Sequence, residues 1–428
     1  MLEGLKKNPV TYALGHFVMS QVVGLKAVRH LRRERRLPRQ TGPIRVGFLC
    51  QYIPAWTKVA PIYENMRQDP RFDPYLICIP SEQVMEKDTF AITCPENDTY
   101  DYFRARGYDA INALTGPEQW LDLQTLGLSY VFYPRPYLHL LPAPYSTWAV
   151  SQYSRVCLVM YGMVFAKEDM RTALNQNFMS HVYFYFAENS FAQKENRRIN
   201  RLAHLLGLQK SVCLGYPVLE ALQQKQNEPQ PAWDFSPNTF RVMWTPRWTT
   251  DKKLGGTNFF TYYRALLDFA RQNPDIAFLH RPHPLALSHF QETGEMTPQQ
   301  AQDYLQQCET LPNVALDKHP EYETTFWGSS VLVSDISGMV PEYFSTGKPL
   351  VFCATNMELA LAPYMKRLLE GCYVVNNEAE LFDTLLMLKD GKDPLAEKRQ
   401  AIALELFGDS QRSPSRDIVE AIYADFGR

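Results

Sequence analysis

The sequence predicts an α/β protein of two doubly wound, Rossmann-like domains that face each other across a cleft. Two series of short, almost wholly apolar segments alternate with helical patterns, which is typical of parallel strands covered on both faces. A polar, proline-bearing stretch without periodicity separates the two series. The length of 428 residues suits two or three domains. A cleft between two such domains suits a donor in one half and an acceptor in the other. We therefore expect an acceptor-side domain at 41–225, a linker at 226–237, a donor-binding domain at 238–392 and C-terminal helices at 393–428.

The first series of predicted strands begins at residue 44 and comprises IRVGFLC, PYLICIP, SYVFYP, RVCLVMYG, HVYFYFAE and SVCLG. Residues 189–207 are predicted to form one long polar helix that stops at Gly207. The second series comprises TFRVMWTP, IAFLH, NVAL, SVLVSD, PLVFC and CYVV. Residues 258–271 have the i, i+3, i+4, i+7 apolar spacing of an amphipathic helix, and residues 378–390 and 394–426 are also predicted to be helical.

Residues 1–40 form a strongly basic segment. Nine lysines and arginines against two acids give it a charge of +7, and the remaining 35 bases and 44 acids give the rest of the chain -9. Apolar residues such as Leu14 and Phe17 precede the cationic end, a composition typical of a helix in a membrane interface. We predict that this arm binds an anionic membrane surface; a helix packed on the protein's own core is the alternative.

The composition disfavours several classes of protein. The net charge of -2 argues against a general nucleic-acid binder, so no nucleic acid is expected as a partner. The eight cysteines are scattered, without CxxC or zinc spacing, and are expected to be buried free thiols. Neither a GxGxxG nor a Walker loop follows a predicted strand. The sequence therefore predicts no metal site and no bound cofactor.

Polar residues follow two of the predicted strands in the second domain. The stretch TPRWTTD contains Arg247 and Thr249, and RPHP contains Arg281 and His283. The prolines beside His283 exclude a helix and hold the ring at a strand end, where open α/β sheets bind their ligands. We predict that Arg281 and His283 neutralise the charge that develops on a departing nucleotide. Arg247 and Thr249 are predicted to bind the nucleotide-linked donor. A loop histidine bonded to backbone is the alternative for His283.

The stretch SDISGMVPEYFSTGKPLVF is the most informative in the chain. A buried strand ends at Ser334 and Asp335, a loop of small residues contains Ser337 and Gly338, and a helix then begins. Exposed N–H groups at the helix start and two serine hydroxyls suit a diphosphate. Glu342, one turn into the helix, can accept hydrogen bonds from ribose hydroxyls. The predicted donor site comprises these five residues; a capped helix with ordinary polar residues is the alternative.

These motifs resemble the CDP-glycerol glycerophosphotransferase family of teichoic-acid and capsule synthesis. RPHP followed by SDISGMVPEYFSTGKPLVF is similar to the family's Arg-x-His-Pro stretch, Ser-Asp-x-Ser loop, acidic residue and Gly-Lys-Pro. CLGYP resembles its Gly-x-Pro, and MWTPRW resembles its Ala-Pro-Thr-Trp-Arg stretch with a different order of polar residues. The match covers roughly residues 150–355. The resemblance implies a GT-B fold, chemistry without a bound metal, and work at the inner membrane face.

The chain departs from the family pattern in the first domain. Tyr161 and Gly162 stand where the family has a His-Gly whose histidine is the suspected general base. A free tyrosine titrates near 10 and is a poor base at neutral pH. Either the acceptor differs, or Glu188 or another carboxylate takes the proton.

The sequence thus predicts a transferase that moves glycerol phosphate, or a related polyol phosphate, from a CDP-linked donor to a membrane-linked glycan or polyol-phosphate acceptor. The expected location is peripheral, at the cytoplasmic face of the cell membrane. A GT-B glycosyltransferase that uses a nucleotide sugar is the alternative, because the same phosphate site serves either leaving group. A non-catalytic binding protein of the same fold is a third possibility.

Overall fold

The computed structural model describes residue 29 and residues 42–81, 96–137, 141–174, 178–236, 238–319, 322–354, 360–408 and 412–427. The arm predicted at 1–40 lies outside the described residues except for residue 29. No helix among the described residues is long and apolar enough to cross a membrane.

The chain divides into two compact units. Unit 1 comprises Met1–Tyr161, Arg171–Glu220 and Ser413–Arg428, and unit 2 comprises Gly162–Met170 and Ala221–Arg412. Each unit contains its own parallel sheet, as the two series of apolar segments predict.

Unit 1 is built on a seven-stranded parallel sheet with the order β3-β2-β1-β6-β7-β8-β9. Its strands are β1 (Ile44–Cys50), β2 (Phe72–Cys78), β3 (Ala110–Asn112), β6 (Tyr130–Tyr133), β7 (Arg155–Val159), β8 (Val182–Phe186) and β9 (Lys210–Val212), and a separate antiparallel pair comprises β4 (Leu114–Gly116) and β5 (Gln119–Trp120). Strands β6, β7 and β8 are buried along their whole length, because helices and loops cover both faces of the sheet.

The helices along the first half of the chain are α1 (Ala60–Gln68), α2 (Asp98–Arg104), α3 (Thr147–Val150), α4 (Lys167–Leu174), α5 (Ser190–Ile199), α6 (Arg201–Leu205) and α7 (Pro217–Gln224). The long helix predicted at 189–207 is wrong in one respect: it is broken into α5 and α6 at Asn200, whose φ of -99° and ψ of 35° leave the helical region. Asn189 caps α5 by accepting a hydrogen bond from the Ala192 N–H at 2.9 Å.

Unit 2 is built on a six-stranded parallel sheet with the order β12-β11-β10-β13-β14-β15. Its strands are β10 (Phe240–Thr245), β11 (Ile276–His280), β12 (Val314–Leu316), β13 (Val331–Ser334), β14 (Leu350–Cys353) and β15 (Tyr373–Val375). The following helices are α8 (Phe259–Gln272), α9 (Ala286–Glu292), α10 (Pro298–Thr310), α11 (Glu323–Gly328), α12 (Met339–Phe344), α13 (Pro363–Leu369), α14 (Glu378–Lys389) and α15 (Ala396–Phe407). The apolar face predicted for 258–271 is the buried face of α8.

The observed units differ from the predicted ranges at both ends of unit 2. The segment predicted as a linker at 226–237 belongs to unit 2, where Trp233 is buried and donates from Nε1 to the Thr325 carbonyl at 2.8 Å. Gly328 makes room for this indole, since a Cβ there would lie 2.2 Å from the ring. The helix predicted at 394–426 is interrupted near Gly408, which has a φ of +80° that favours glycine.

The last helix, α16 (Pro414–Phe426), returns to unit 1. Its Asp425 carboxylate is buried and accepts hydrogen bonds from the hydroxyls of Tyr130 at 2.7 Å and Tyr183 at 2.8 Å, and from Lys210. Burial opposes ionisation of Asp425, but these donors outweigh it and lower its pKa. The C-terminal helix therefore joins β6, β8 and β9 through one buried carboxylate.

Candidate functional site

The candidate donor site lies at the carboxyl edge of the sheet in unit 2. From β10 the chain proceeds to β11 and β12 on one side and to β13, β14 and β15 on the other, so the strand order reverses between β10 and β13. The register pairs Thr245 with Ser334 at the ends of these two strands. Open α/β sheets bind ligands at such a switch point. The two loops that flank it are those of TPRW and SDISG.

Asp335 fixes the loop that follows β10. Its carboxylate is buried and accepts hydrogen bonds from the backbone N–H of Arg247 at 2.8 Å, from the Thr257 hydroxyl at 3.1 Å and from the Asn258 N–H at 3.0 Å. Burial raises the pKa of Asp335 to about 6, and the hydrogen bonds to its carboxylate oppose that rise. The Arg247 side chain donates from Nη1 to the Ile336 carbonyl at 2.9 Å. Asp335 therefore couples the two loops of the switch point.

Two of the predicted donor-binding hydroxyls lie inside the protein. Ser334 is fully buried, accepts a hydrogen bond from the Thr245 hydroxyl at 2.8 Å and donates to the Thr245 carbonyl at 2.9 Å. Thr249 is also buried, and its hydroxyl accepts from the Asp251 N–H at 3.1 Å. Both hydroxyls therefore stabilise the strand ends and the loop from within.

Ser337 and Gly338 form the open part of the second loop. Gly338 has a φ of -58° and a ψ of -20°, which any residue adopts, and nothing lies within 4 Å of the position its Cβ would take. Neither conformation nor packing in the described chain thus requires a glycine, whereas a ligand that approaches the backbone would. The Ser337 hydroxyl accepts from the Met339 N–H at 3.2 Å. The helix α12 that follows has six residues, so hydrogen bonding matters more here than its dipole.

His283 lies on the loop after β11 with its side chain exposed. Its Nδ1 accepts a hydrogen bond from the Leu285 N–H at 3.2 Å, so the neutral ring carries its proton on Nε2. Partial desolvation lowers the pKa of His283, and the positive charge of Arg247 lowers it further. The ring is therefore neutral at pH 7 and offers one N–H donor beside Arg247. Trp248 lies next to it, with 6.2 Å between the ring centroids.

Arg281 is held by a buried acid that sequence reasoning missed. Its Nη1 donates to Asp317 Oδ2 at 2.6 Å, and the Asp317 side chain has no exposed surface. The other carboxylate oxygen accepts from the backbone N–H and Nδ1 of His319, both at 3.0 Å. Asp317 follows β12, the neighbour of β11, and its own N–H donates to the His280 carbonyl. Adjacent parallel strands thus bring together two residues 36 positions apart.

Glu342 is connected to Arg281 through the side chain of Tyr322. It is buried in α12 and accepts a hydrogen bond from the Tyr322 hydroxyl. The guanidinium of Arg281 lies 5.7 Å from the centroid of the Tyr322 ring. Tyr322 therefore links the predicted ribose acceptor to the predicted phosphate cation, and it is a second residue that the sequence interpretation did not include.

Lys348, the lysine of GKP, has a structural role in the described chain. Its Nζ donates to the carbonyls of Phe326, Trp327 and Ser329, which end helix α11. Burial lowers the pKa of Lys348 to about 8. The motif therefore stabilises the helix that precedes β13.

The predicted catalytic residues Tyr161 and Glu188 belong to unit 1. The sheet of unit 1 has its own switch point between β1 and β6, and a pocket there is lined by residues that include Tyr52, Arg135 and Tyr137. The Arg135 guanidinium lies 4.6 Å from the centroid of Tyr52 and 5.8 Å from that of Tyr137. The Tyr137 and Tyr161 hydroxyls are 3.1 Å apart. Tyr161 therefore adjoins a cationic, aromatic pocket.

Glu188 is less accessible. Its side chain is buried, and Oε2 accepts a hydrogen bond from the Tyr185 hydroxyl at 2.6 Å. Burial raises the pKa of Glu188 to about 6 although this hydrogen bond opposes the rise. The described residues contain no cluster of three or more His, Cys, Asp or Glu that could hold a metal ion.

Comparison with known proteins identifies similar folds. No protein-family model and no curated protein sequence matches the chain. The UDP-GlcNAc 2-epimerase from Neisseria meningitidis bound to UDP-GlcNAc is 15% identical over 89% of this chain and 100% of its own, with a TM-score of 0.59. The S. aureus MnaA–UDP complex is 14% identical over 90% of this chain and 97% of its own, with a TM-score of 0.60.

The wall teichoic acid polymerase TagF is 15% identical over 96% of this chain and 98% of its own, with a TM-score of 0.55. One of its structures was obtained after a soak with CDPG. TagF is a CDP-glycerol glycerophosphotransferase, so the structural likeness includes the kind of protein that the motifs resemble. At these identities the likeness concerns the fold. It confirms the predicted class: the protein has two Rossmann-like parallel sheets of the GT-B type.

Proposed function

We propose that the protein transfers glycerol phosphate, or a related polyol phosphate, from a CDP-linked donor to a membrane-linked acceptor in the synthesis of a cell-surface polymer. The observation that carries the proposal is the convergence of Arg247, Arg281, His283 and the Ser337–Gly338 loop at one sheet edge. These residues follow three adjacent strands and flank the switch point of unit 2. The same stretches carry the resemblance to the glycerophosphotransferase family.

In this proposal the donor diphosphate approaches the open backbone at Gly338. Arg247 and Arg281 supply positive charge, and Glu342 accepts from the ribose. A hydroxyl oxygen of the acceptor forms a bond to the phosphorus of the glycerol phosphate. The bond from that phosphorus to the bridging oxygen breaks, and CMP leaves with the electron pair. The Nε2–H of His283 donates a hydrogen bond to the charge that develops on the departing phosphate.

The acceptor is assigned to the pocket of unit 1. Arg135 suits an acceptor that carries a phosphate, because a guanidinium binds phosphate oxygens in pairs. The proton of the attacking hydroxyl passes to the carboxylate of Glu188 or to the phenolate oxygen of an ionised Tyr161. Tyr161 adjoins the pocket, and a tyrosine is seldom ionised at neutral pH. Glu188 has the more suitable pKa but is buried.

The arm at 1–40 is proposed to attach the protein to the inner face of the cell membrane, because its +7 charge and apolar residues suit an anionic bilayer. That location would hold the protein at the membrane that carries a lipid-linked acceptor.

A donor panel tests the proposal. Full-length protein is titrated calorimetrically with CDP-glycerol, CDP-ribitol, CDP, UDP-GlcNAc and UDP, and CMP release and epimerised sugar are assayed with the purified membrane fraction as acceptor. We expect the CDP-linked donors to bind most tightly and CMP to be released with transfer. Preference for UDP-GlcNAc with sugar transfer favours the alternative of a nucleotide-sugar glycosyltransferase, since a similar fold has been solved with UDP-GlcNAc bound. Binding of CDP-glycerol without turnover would instead favour a binding protein.

A further inference from the structure

A short stretch on the outside of unit 1 exposes several large apolar side chains together. Leu202 is 54% exposed, Leu205 73% and Leu206 58%, all on helix α6 and its end. Apolar side chains that are exposed next to one another often mark an interaction site, whereas a single exposed apolar side chain needs no explanation.

Several cations lie close to these leucines in sequence, on helix α5 and at the start of α6. Lys194, Arg197, Arg198 and Arg201 are exposed, and the one acid between them, Glu195, is paired with Arg198 at 2.6 Å. We call these four cations and the three leucines the leucine–arginine face. An open recess of about 460 Å³ adjoins the face and is lined by residues that include Arg197, Arg201 and Leu205. The face therefore offers apolar side chains and cations side by side.

The leucines of this face lie at the amino-terminal edge of the sheet in unit 1. Helix α6 leads directly to Lys210, the first residue of β9, and β9 is parallel to β8 and, through it, to the rest of the sheet. The Arg135 pocket lies at the opposite, carboxyl edge. Docking through the leucine–arginine face would thus leave that pocket uncovered.

We propose that the leucine–arginine face docks on an anionic lipid bilayer, with its leucines in the interface and its cations on lipid phosphates. Apolar side chains flanked by arginine and lysine are the composition that binds such a surface. A second copy of the chain is a poorer partner, because a twofold contact would bring like charges together. The inference concerns the folded body of unit 1 and depends neither on the arm nor on the identity of the donor.

Vesicle binding by the full chain tests this proposal. The double variants Lys194→Gln/Arg201→Gln and Leu205→Gln/Leu206→Gln are compared with wild type on vesicles of phosphatidylglycerol and phosphatidylcholine. Losing two cations should weaken binding to the anionic vesicles roughly 30-fold. Losing two leucines should weaken it roughly tenfold or more, since their side chains no longer enter the interface. The melting temperature should stay unchanged, because all four side chains are exposed.

Matched controls lie in unit 2. Leu404, which is 62% exposed, and Lys366, which is exposed, are changed to Gln and should leave vesicle binding at the wild-type level. Equal affinity of both double variants and wild type would overturn the proposal. So would equal binding to neutral and anionic vesicles, or a leucine variant that loses self-association in sedimentation velocity while its vesicle binding is unchanged.

Discussion

His283 is a residue whose hydrogen bonding fixes its chemistry. Because Nδ1 accepts from the Leu285 N–H, the neutral ring presents Nε2–H, and we expect His283→Ala to lower turnover roughly 100- to 1000-fold. His283→Gln places an N–H donor near the former Nε2 and should restore part of that loss. Transfer is followed by CMP release and stability by thermal melting, which should change little for this exposed side chain. Near wild-type transfer by His283→Ala, or its failure to fold, would return His283 to a structural role.

Gly338 provides a test of the donor pocket that does not depend on folding. Its backbone is helical and the space beside it is open, so Gly338→Leu should fold normally and fill the path of the diphosphate. We expect CDP binding to weaken at least tenfold in calorimetry while the melting temperature stays within a degree or two. A variant that binds CDP as tightly as wild type would place the pocket elsewhere.

Glu188 gives a prediction about pH. Its pKa is raised from 4.5 to about 6, so its contribution to stability is present below pH 4.5 and is lost as pH rises through about 6. Relative to Glu188→Gln, the free energy of unfolding of wild type should fall by about 2 kcal/mol over that window. Urea unfolding of both proteins at pH 4.5 and pH 7 measures the difference. A difference independent of pH would contradict the assigned burial of the carboxyl group.

At the residue scale the sequence predicted the place of a residue at a strand end better than it predicted the partners of its side chain. Arg281 and His283 follow an apolar run, so their place at a strand end could be predicted from local pattern. Asp317 could not, because its contact with Arg281 depends on β12 lying beside β11. For Ser334 the pattern showed the strand end but not that the hydroxyl points inward to Thr245.

At the scale of elements, Lys348 supports helix α11 rather than the donor. Lys348→Met removes donors from three carbonyls, and we expect it to destabilise the protein by about 1–3 kcal/mol with CDP binding unchanged. Urea unfolding and calorimetry measure the two effects. Lys366→Met, at an exposed position, is the control and should change stability by less than about 0.5 kcal/mol. Unaltered stability with weakened CDP binding would instead assign Lys348 to the donor.

The strands of both sheets were predictable because buried parallel strands have continuous apolar runs. Strand β3 was missed, since its three residues, Ala110–Asn112, have no such run. The break at Asn200 was missed because polar residues on either side continue the helical composition. Strand order and the two switch points are tertiary properties that no local pattern contains.

At the scale of the whole molecule, the arm and the leucine–arginine face make separable predictions. Deletion of residues 1–40 should lower sedimentation with anionic vesicles, because +7 of charge is removed. If the leucine–arginine face also docks, residual binding should remain and should disappear when Lys194→Gln/Arg201→Gln is added. Unchanged sedimentation of the truncated protein would exclude a role for the arm.

The return of helix α16 to unit 1 has a consequence for biosynthesis. The first sheet is translated before unit 2, yet the carboxylate that joins Tyr130, Tyr183 and Lys210 follows unit 2 in the sequence. Unit 1 therefore cannot complete its packing while unit 2 is being translated and must wait, partly assembled, until helix α16 has been made. A nonsense codon that removes only the last helix would thus damage the unit made first, leaving a nascent product open to proteolysis.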